Sequence, residues 1–533
     1  MKRKLVAMLL ATAMVASMAA CGNDTAGEES KTTTTPTETQ QVVEDDFVEP
    51  EKITLVINGN LGATVENGQE EFRQQWEEAV GVDFEIKQLD HSGYRDQVGT
   101  MLASEEYPDV MFMTAEMYAQ YATTGILWDM TEAYENADFY SKITKPLVNE
   151  AMKIDGKLYG FSPRIGNGCV SYVKESWLEA VGMKAEDIKT YDDYIELLRA
   201  FKNGDPDGNG VNGDTYGTVA AGFLNLEAPY VQYLPEFWQD AFPQIYENES
   251  GEWIDGFQEE ATKEALTRLR SAYEEGLINP ASLTMGTKDA RTNYWQADQT
   301  GSAGVFTYWA GLWAYNITSE LEKGDLDSRI TWLNPIEEVG QYYDRQAPVF
   351  VIFDDGDGDD RREQWIFDKF CETMVDGGEV QMLWSYGAEG VHWSTAAEDV
   401  TLNAGTEKET TTSYKEGEFH MLPYPSDPNK LWSKNVNDPL LSIVPFEGEY
   451  ANYVADNEIL DEVNAFFTAN CKMAPNAPAS DLYTSYSGDI NDAKTAAVAK
   501  VVTEGMDVDE AIAEYVAAVG DIVEEVLVDL NSK

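Results

Sequence analysis

The stretch Ile53-Thr54-Leu55-Val56-Ile57-Asn58-Gly59-Asn60 decides the architecture. Five β-branched and aliphatic residues in a row predict a strand, and Asn58-Gly59-Asn60 ends it with turn formers. A helix is expected over 70–79, with Phe72, Trp76 and Ala79 at helical spacing. Val82 to Leu89 reads as the next strand, Tyr94 to Ser104 as a second helix, and Pro108-Asp109-Val110-Met111-Phe112-Met113 as a buried strand. Strand, helix, strand, helix, strand in so short a span predicts parallel βαβ units. In open sheets of that kind ligands bind beyond the C-terminal strand ends. The loops Asn58–Asn60, His91–Tyr94 and Met113–Tyr118 are the first places to look.

Upstream, Lys2, Arg3 and Lys4 precede the apolar run Leu5 to Ala20, which closes on Met18-Ala19-Ala20-Cys21. A basic tip, a short apolar core and small residues make a secretory signal. Cysteine directly after Ala19-Ala20 fits a lipobox, with Met18 where Leu is usual, so residues 1–20 are read as a signal peptide and Cys21 as the lipid anchor. Residues 21–50 are rich in Thr, Glu, Gln and Ser and poor in bulky apolar side chains, the composition of a flexible tether. The expected location is extracytoplasmic, with the protein lipid-anchored to the cell membrane.

The chain has 533 residues, enough for two or three domains, and a formal charge of −59. Once Lys2, Arg3 and Lys4 leave with the signal, 34 basic residues face 96 acidic ones, or −62. That field excludes nucleic acid and an anionic membrane surface as partners. It weighs against a polyanionic ligand too, although one local arginine can overrule a global field. With Cys21 lipidated, Cys169, Cys371 and Cys471 allow at most one disulfide. No CxxC or Cys/His cluster suits zinc, and no nucleophile elbow, HExxH or Walker loop is present.

Further along, Asp155-Gly156 turns a hairpin, Cys169–Val173 is a strand, and helices are expected over 175–181 and 191–201. Phe350–Phe353 reads as another strand, Arg361–Met374 as a helix, and Val508–Leu530 as a terminal helix capped by Asp507. Trp76 and Trp177, on amphipathic helices, are assigned to the core.

Five strings then carry a resemblance. They are Asp155-Gly156-Lys157-Leu158-Tyr159-Gly160, Ser176-Trp177-Leu178-Glu179-Ala180-Val181-Gly182, and Ala200-Phe201-Lys202-Asn203-Gly204-Asp205-Pro206-Asp207-Gly208-Asn209-Gly210, followed by the runs Gly378 to Trp393 and Gly505 to Val516. Together they resemble the family 1 extracellular solute-binding proteins, the substrate-capturing subunits of bacterial sugar ABC transporters. The resemblance implies a two-lobed, periplasmic-binding-protein-like α/β fold with a hinge and an interlobe ligand cleft. It also implies a carbohydrate ligand, permease subunits as partners, and a monomer without enzymatic activity. On this reading lobe 1 comprises residues 51–162 and about 336–386, and lobe 2 residues 163–335 and about 387–533. Expected crossings are Phe161–Arg164, Trp332–Pro335 and roughly Ser385–Gly390, where Gly387 and Gly390 can absorb a rotation.

Asp205-Pro206-Asp207-Gly208-Asn209-Gly210-Val211 reproduces the start of an EF-hand loop: oxygen side chains at positions 1, 3 and 5, glycine at 6, a backbone carbonyl at 7. Tyr216 replaces the bidentate Glu of position 12. The related family loop carries acids at positions 9 and 10, here Gly213 and Asp214, so Asp214 is expected to close the site. The expectation is a structural Ca2+ on Asp205, Asp207, Asn209, Val211 and Asp214; a plain polar turn is the alternative. The loop Asp354–Asp360 lacks the glycine and the distal acid, and reads as a solvated acidic loop.

Thirteen Trp and 28 Tyr are many for this length, and several cluster: Tyr308 to Trp313 after a strand, Trp384, Tyr386, His392 and Trp393 around an expected crossing, and Tyr230, Tyr233, Phe237 and Trp238. Sugars offer apolar C–H faces to flat rings and need a few placed polar groups. The candidate ligand-binding residues are Tyr94, Arg164, Trp238, Trp309, Trp313, Tyr386, His392 and Trp393, with Arg164 as a donor fork. A lipid-anchored glycoside hydrolase is the rival reading, since two carboxylates at a fixed separation would suffice. A calcium-binding surface scaffold is a third, disfavoured by the lack of repeats.

Overall fold

Ile53, Leu55, Val56 and Ile57 are all buried, so both faces of β1 (Lys52–Asn58) are covered, as an interior strand of a parallel sheet requires. The computed structural model describes residues 47–221, 233–296, 301–324, 326–432, 441–454 and 458–532. The signal, Cys21, most of the tether and Tyr230 lie outside them. Val48–Lys533 forms one compact unit.

Helix α1 (Gln69–Val80) is bracketed by Gly68 and Gly81, both left-handed, and Gly81 N–H donates to Glu77 O. It leads into β2 (Asp83–Leu89), α2 (Tyr94–Ala103) and β3 (Val110–Met113). β1 pairs in parallel with both β2 and β3, the expected βαβ arrangement. Asp109 secures the start of β3: its Oδ2 accepts from Thr54 N (2.6 Å) and Thr54 Oγ1 (2.7 Å), and Arg362 pairs with its other oxygen. Asp155 and Gly156 both take positive φ, and Ile154 pairs with Lys157 across them, a type I′ turn.

The second block begins at β4 (Cys169–Lys174), followed by α3 (Glu175–Val181) and α4 (Tyr191–Asn203). α4 starts with a Thr190/Asp193 capping box. Next come β5 (Tyr216–Val219), α5 (Glu260–Glu274), α6 (Thr287–Trp295), β6 (Ala303–Trp309), α7 (Leu312–Lys323) and β7 (Ile330–Trp332). The second sheet has the order β5-β6-β4-β7, and β4 runs antiparallel to both neighbours. β8 (Tyr342–Asp344) lies outside this sheet, and β9 (Val349–Ile352) then returns to the first sheet, antiparallel to β3. After α8 (Glu379–Tyr386) the chain makes short hairpins up to Leu431. It closes with α9 (Glu458–Ala469), β10 (Cys471–Met473), α10 (Asp481–Glu504) and α11 (Val508–Leu530). Asp507 caps α11 by accepting from the amides of Asp509 and Glu510.

Two cores result. In the first, Trp76 stacks on Phe84 at 3.6 Å and meets Trp384 edge-on at 5.1 Å. In the second, Tyr172, Trp177, Phe201, Trp238 and Phe306 join Phe467, Val501 and Tyr515 from the terminal helices. Arg361–Met374 is one helical run but not one helix: it passes from α (Arg361–Ile366) to π (Phe367–Glu372) to 3-10 (Thr373–Val375). The π turn keeps Phe367, Phe370 and Cys371 all buried. Cys169, Cys371 and Cys471 are free thiols.

Among the described residues, two antiparallel segments run side by side between the blocks. Phe161 and Phe350 exchange backbone hydrogen bonds (2.9 and 2.8 Å) at the first sheet, and Gly168 pairs with Asp344 beside the second. The second crossing is therefore Asp344–Val349. Trp332–Pro335 does not cross, because Leu333 N still donates to Ser171 O within the second block. Ile336, Val339 and Tyr342, placed by sequence in the first lobe, belong to the second core. Ser385–Gly390 does not cross either. Glu389 N donates to Gln75 Oε1 and His392 Nε2 meets Asn67 O, so this stretch stays on the first block. Ile443 N donates to Pro163 O, and the chain reaches the second core only with Val463 and Phe467 of α9.

Candidate functional site

The crossing pair meets an end of each block, and each end forms a wall beside it. The first wall is the C-terminal end of β1. Ile57, Asn58, Asn60, Leu61 and Gly62 line a cavity of about 90 Å³ together with Pro163, Arg164 and Pro348 from the crossings. Strands end here with their turn residues exposed, which is where a parallel sheet leaves polar groups available. Asn58 Oδ1 sits 3.0 Å from His91 Nδ1.

The second wall is the loop after β6. Ala310 N donates to Gly168 O (2.9 Å) and Asn167 Nδ2 donates to Ala310 O (3.0 Å), tying Trp309–Trp313 to the crossing. Trp309 and Trp313 are half-buried. The Arg345 guanidinium lies 3.9 Å over the Trp309 ring, and that of Arg291 4.4 Å over Trp313. Tyr308 touches both rings, at 6.4 and 5.0 Å, and accepts from Arg291 Nη1 at 3.1 Å. Burial pushes the Asp344 carboxyl up to about 6, against the pull of Arg345.

Of the residues chosen from sequence, the structure brings Arg164, Trp309 and Trp313 to this junction. The others lie elsewhere. Tyr94 is buried and donates to Phe112 O at 2.6 Å, so its hydroxyl is spent inside the first block. Trp238 is fully buried in the second core. Tyr386 and Trp393 are buried in a small cluster with Met382, flanked by Phe419 and Tyr453, and the Trp393 indole donates to Gly387 O. His392 is wholly buried: Nδ1 accepts from Ala388 N (2.7 Å), Nε2 meets Asn67 O (2.6 Å), and the ring stacks on Trp432 at 3.9 Å. These rings sit near glycines because close packing demands it: a Cβ on Gly387 would stand 2.3 Å from His392 Nδ1.

Arg291, Asp344, Arg345 and Pro348 were not chosen from sequence. Arg291 carries no local signal. Asp344-Arg345-Gln346-Ala347-Pro348 does, being a polar run that ends in proline just before an apolar strand.

In the loop of Asp205, the Asn209 amide donates to Asp207 Oδ2 (3.0 Å) and Asp214 Oδ2 (2.9 Å), and Gly210 N donates to Asp205 Oδ2 (3.0 Å). Asp205 Oδ1 and Asp214 Oδ1 are buried with no hydrogen-bond partner. Burial raises the Asp207 carboxyl, and its hydrogen bond to Asp205 with the charges of Asp214 and Asp205 raises it further, against the Asn209 amide. These orphaned oxygens fit a hard cation. At Asp354, Asp355 and Glu363, carboxylate oxygens also gather within 4.8 Å. There, Arg362 donates to Glu363, and Asp354 and Asp355 accept the amides of Gly356 and Asp357. No helix among the described residues is long and apolar enough to cross a membrane.

A family model for bacterial extracellular solute-binding proteins matches residues 71–362. The lipoprotein LipO of Bacillus subtilis (strain 168) is 28% identical over 253 residues, covering 47% of this chain and 48% of LipO, so the match spans about half of that relative. YtcQ, a polygalacturonan/rhamnogalacturonan-binding protein of the same organism, is 22% identical over 435 residues, 78% of this chain and 77% of YtcQ. Among solved structures, an EF-hand mutant of the ABC-transporter substrate-binding protein FusA from S. pneumoniae, in complex with fructo-nystose, superposes with a TM-score of 0.54 at 15% identity. It covers 90% of this chain and 99% of FusA. The fold is thus the α/β periplasmic-binding-protein fold, and with over half its length matched by the family model, the chain belongs to the bacterial extracellular solute-binding proteins.

Proposed function

We propose that the protein captures an oligosaccharide outside the cytoplasmic membrane and delivers it to the permease of an ABC transporter. The observation that carries this reading is half-buried Trp309 beside the crossings, held there by Asn167 and Gly168, while Arg164 of the same crossing lines a cavity with Asn58 and Asn60. An apolar ring, with amide and guanidinium donors on the same crossings, suits a sugar's C–H face and hydroxyls. The blocks act as two lobes, one built on the sheet β9-β3-β1-β2 and the other on β5-β6-β4-β7, and the crossings act as the hinge. A ligand touching both walls favours the closed form in proportion to its extra contacts there. Relatives named for polygalacturonan/rhamnogalacturonan and for fructooligosaccharide support a saccharide ligand.

Two further features complete the proposal. Cys21 carries a lipid that keeps the protein near its permease and raises their effective concentration. Asp205, Asp207, Asn209, Val211 and Asp214 hold a structural Ca2+, a reading supported by the orphaned carboxylate oxygens.

Titration calorimetry against a panel of oligosaccharides, with chromatography of the recovered ligand, tests the main reading. Binding without turnover is expected; release of shorter sugars would establish the hydrolase instead. Replacing Cys21 with serine should release the protein from membranes into the medium.

A further inference from the structure

The chain is short of cations, and four of its half-buried arginines are matched to acids. Arg73 pairs with Glu70 and Glu77, Arg268 with Glu264, Arg270 with Glu274, and Arg362 with Asp109 and Glu363. Arg291 and Arg345 differ. Among the described residues neither has a carboxylate within ion-pair distance, although the chain holds 96 acids against 37 bases. Each lies over a tryptophan instead, and the Nε of each is buried with no hydrogen-bond partner.

Both belong to one surface. Tyr308 touches Trp309 and Trp313, and Trp309–Trp313 is hydrogen-bonded to the crossing. Partial burial of an unpaired guanidinium is costly, and a ring face offsets only part of that cost. Asp344, next in the chain, does not pair with Arg345, and its own Oδ1 is buried without a partner. A planar fork with donors to spare, held over an aromatic ring, can bind a carboxylate bidentately.

We infer that the captured solute is an acidic saccharide, and that Arg291 and Arg345 bind carboxylates on it while Trp309 and Trp313 hold the sugar rings. The inference rests on the reading of this cleft as a carbohydrate site. It assigns a local exception to the negative field of the chain: these two arginines select carboxylate-bearing sugars against the repulsion of the surface. Asp344 then serves as an acceptor for a hydroxyl.

The test is calorimetry on the mature protein with oligosaccharides of galacturonate, glucuronate and mannuronate, each beside its methyl ester and its neutral counterpart. At least one acid should bind about tenfold or more tightly than its ester, since a charge-assisted bidentate contact is lost on esterification. Arg345→Gln and Arg291→Gln should each shrink that ratio while the thermal midpoint stays near that of the parent. Should either variant unfold, the parent's affinity for the acid must still weaken with added salt while binding of any neutral sugar does not. Esters or neutral sugars bound as tightly as the acids would overturn the inference and leave the carbohydrate reading intact. If no saccharide of the panel binds, both fall.

Discussion

Gly166 lies directly against the backbone of Arg345: a Cβ built on it would stand 1.8 Å from the Arg345 carbonyl oxygen. The two crossings therefore run closer together than any side chain allows, and Gly168 repeats the relation with Tyr343 O at 2.1 Å. Gly166→Ala must push the crossings apart. A loss of about 2 kcal/mol or more is expected, at the upper part of the overpacking range. Saccharide affinity should fall as well, because Arg345 and Arg164 would shift together. Urea denaturation checks this, and an unchanged midpoint would refute the close approach.

Trp309 and Trp238 should respond in opposite ways. Trp238→Ala empties a buried core position and is expected to cost about 3–5 kcal/mol, with thermal unfolding as the readout. Trp309→Ala removes a half-buried ring from the cleft wall and should register mainly in the calorimeter, as an affinity loss of about tenfold or more. If Trp309→Ala destabilised the fold as much as Trp238→Ala, the ring would be structural.

Glu236 makes stability depend on pH. It is buried beneath the second sheet, accepts from Ser171 Oγ at 2.5 Å, and has no partner for Oε2. Burial raises its carboxyl from 4.5 to about 7. Between those values the folded state keeps a proton that the unfolded chain has released, so stability falls as pH rises through that window and levels off above it. The fall is of the order of 3 kcal/mol. Glu236→Gln keeps the acceptor for Ser171 and should remove this slope, seen by comparing urea midpoints at about pH 5 and about pH 8. An equal slope in both proteins would show that Glu236 is ionised in the fold.

Calcium should raise the thermal midpoint, since a ligand bound only by the folded state stabilises it by mass action. Asp207→Asn and Asp214→Ala should each abolish the rise while leaving the metal-free midpoint near that of the parent. A chelator that leaves the parent's midpoint unchanged, together with no response to added Ca2+, would make the loop a plain polar turn.

What could be read from sequence was whatever depends on neighbours in the chain. The βαβ start follows from alternation of β-branched runs with helical spacing, and Trp76 and Trp177 follow from amphipathic periodicity; both are buried as expected. Asp507 could be recognised as a cap because capping acts within one turn. The cleft could not be read this way. Trp238, Trp309 and Trp393 are alike in sequence, each aromatic and near other rings, yet only Trp309 lies at the crossing. Its position is set by β6 pairing with β4 and by Asn167 reaching Ala310. Arg291 and Arg345 reach one set of rings because a helix and a crossing segment distant in the chain approach Trp313 and Trp309, which Tyr308 links. Local spacing dictates which elements form and which of their faces are apolar; which aromatic rings reach the crossings is settled by long-range strand pairing and by close contacts such as Gly166 against Arg345, because side-chain environment depends on residues far away along the chain.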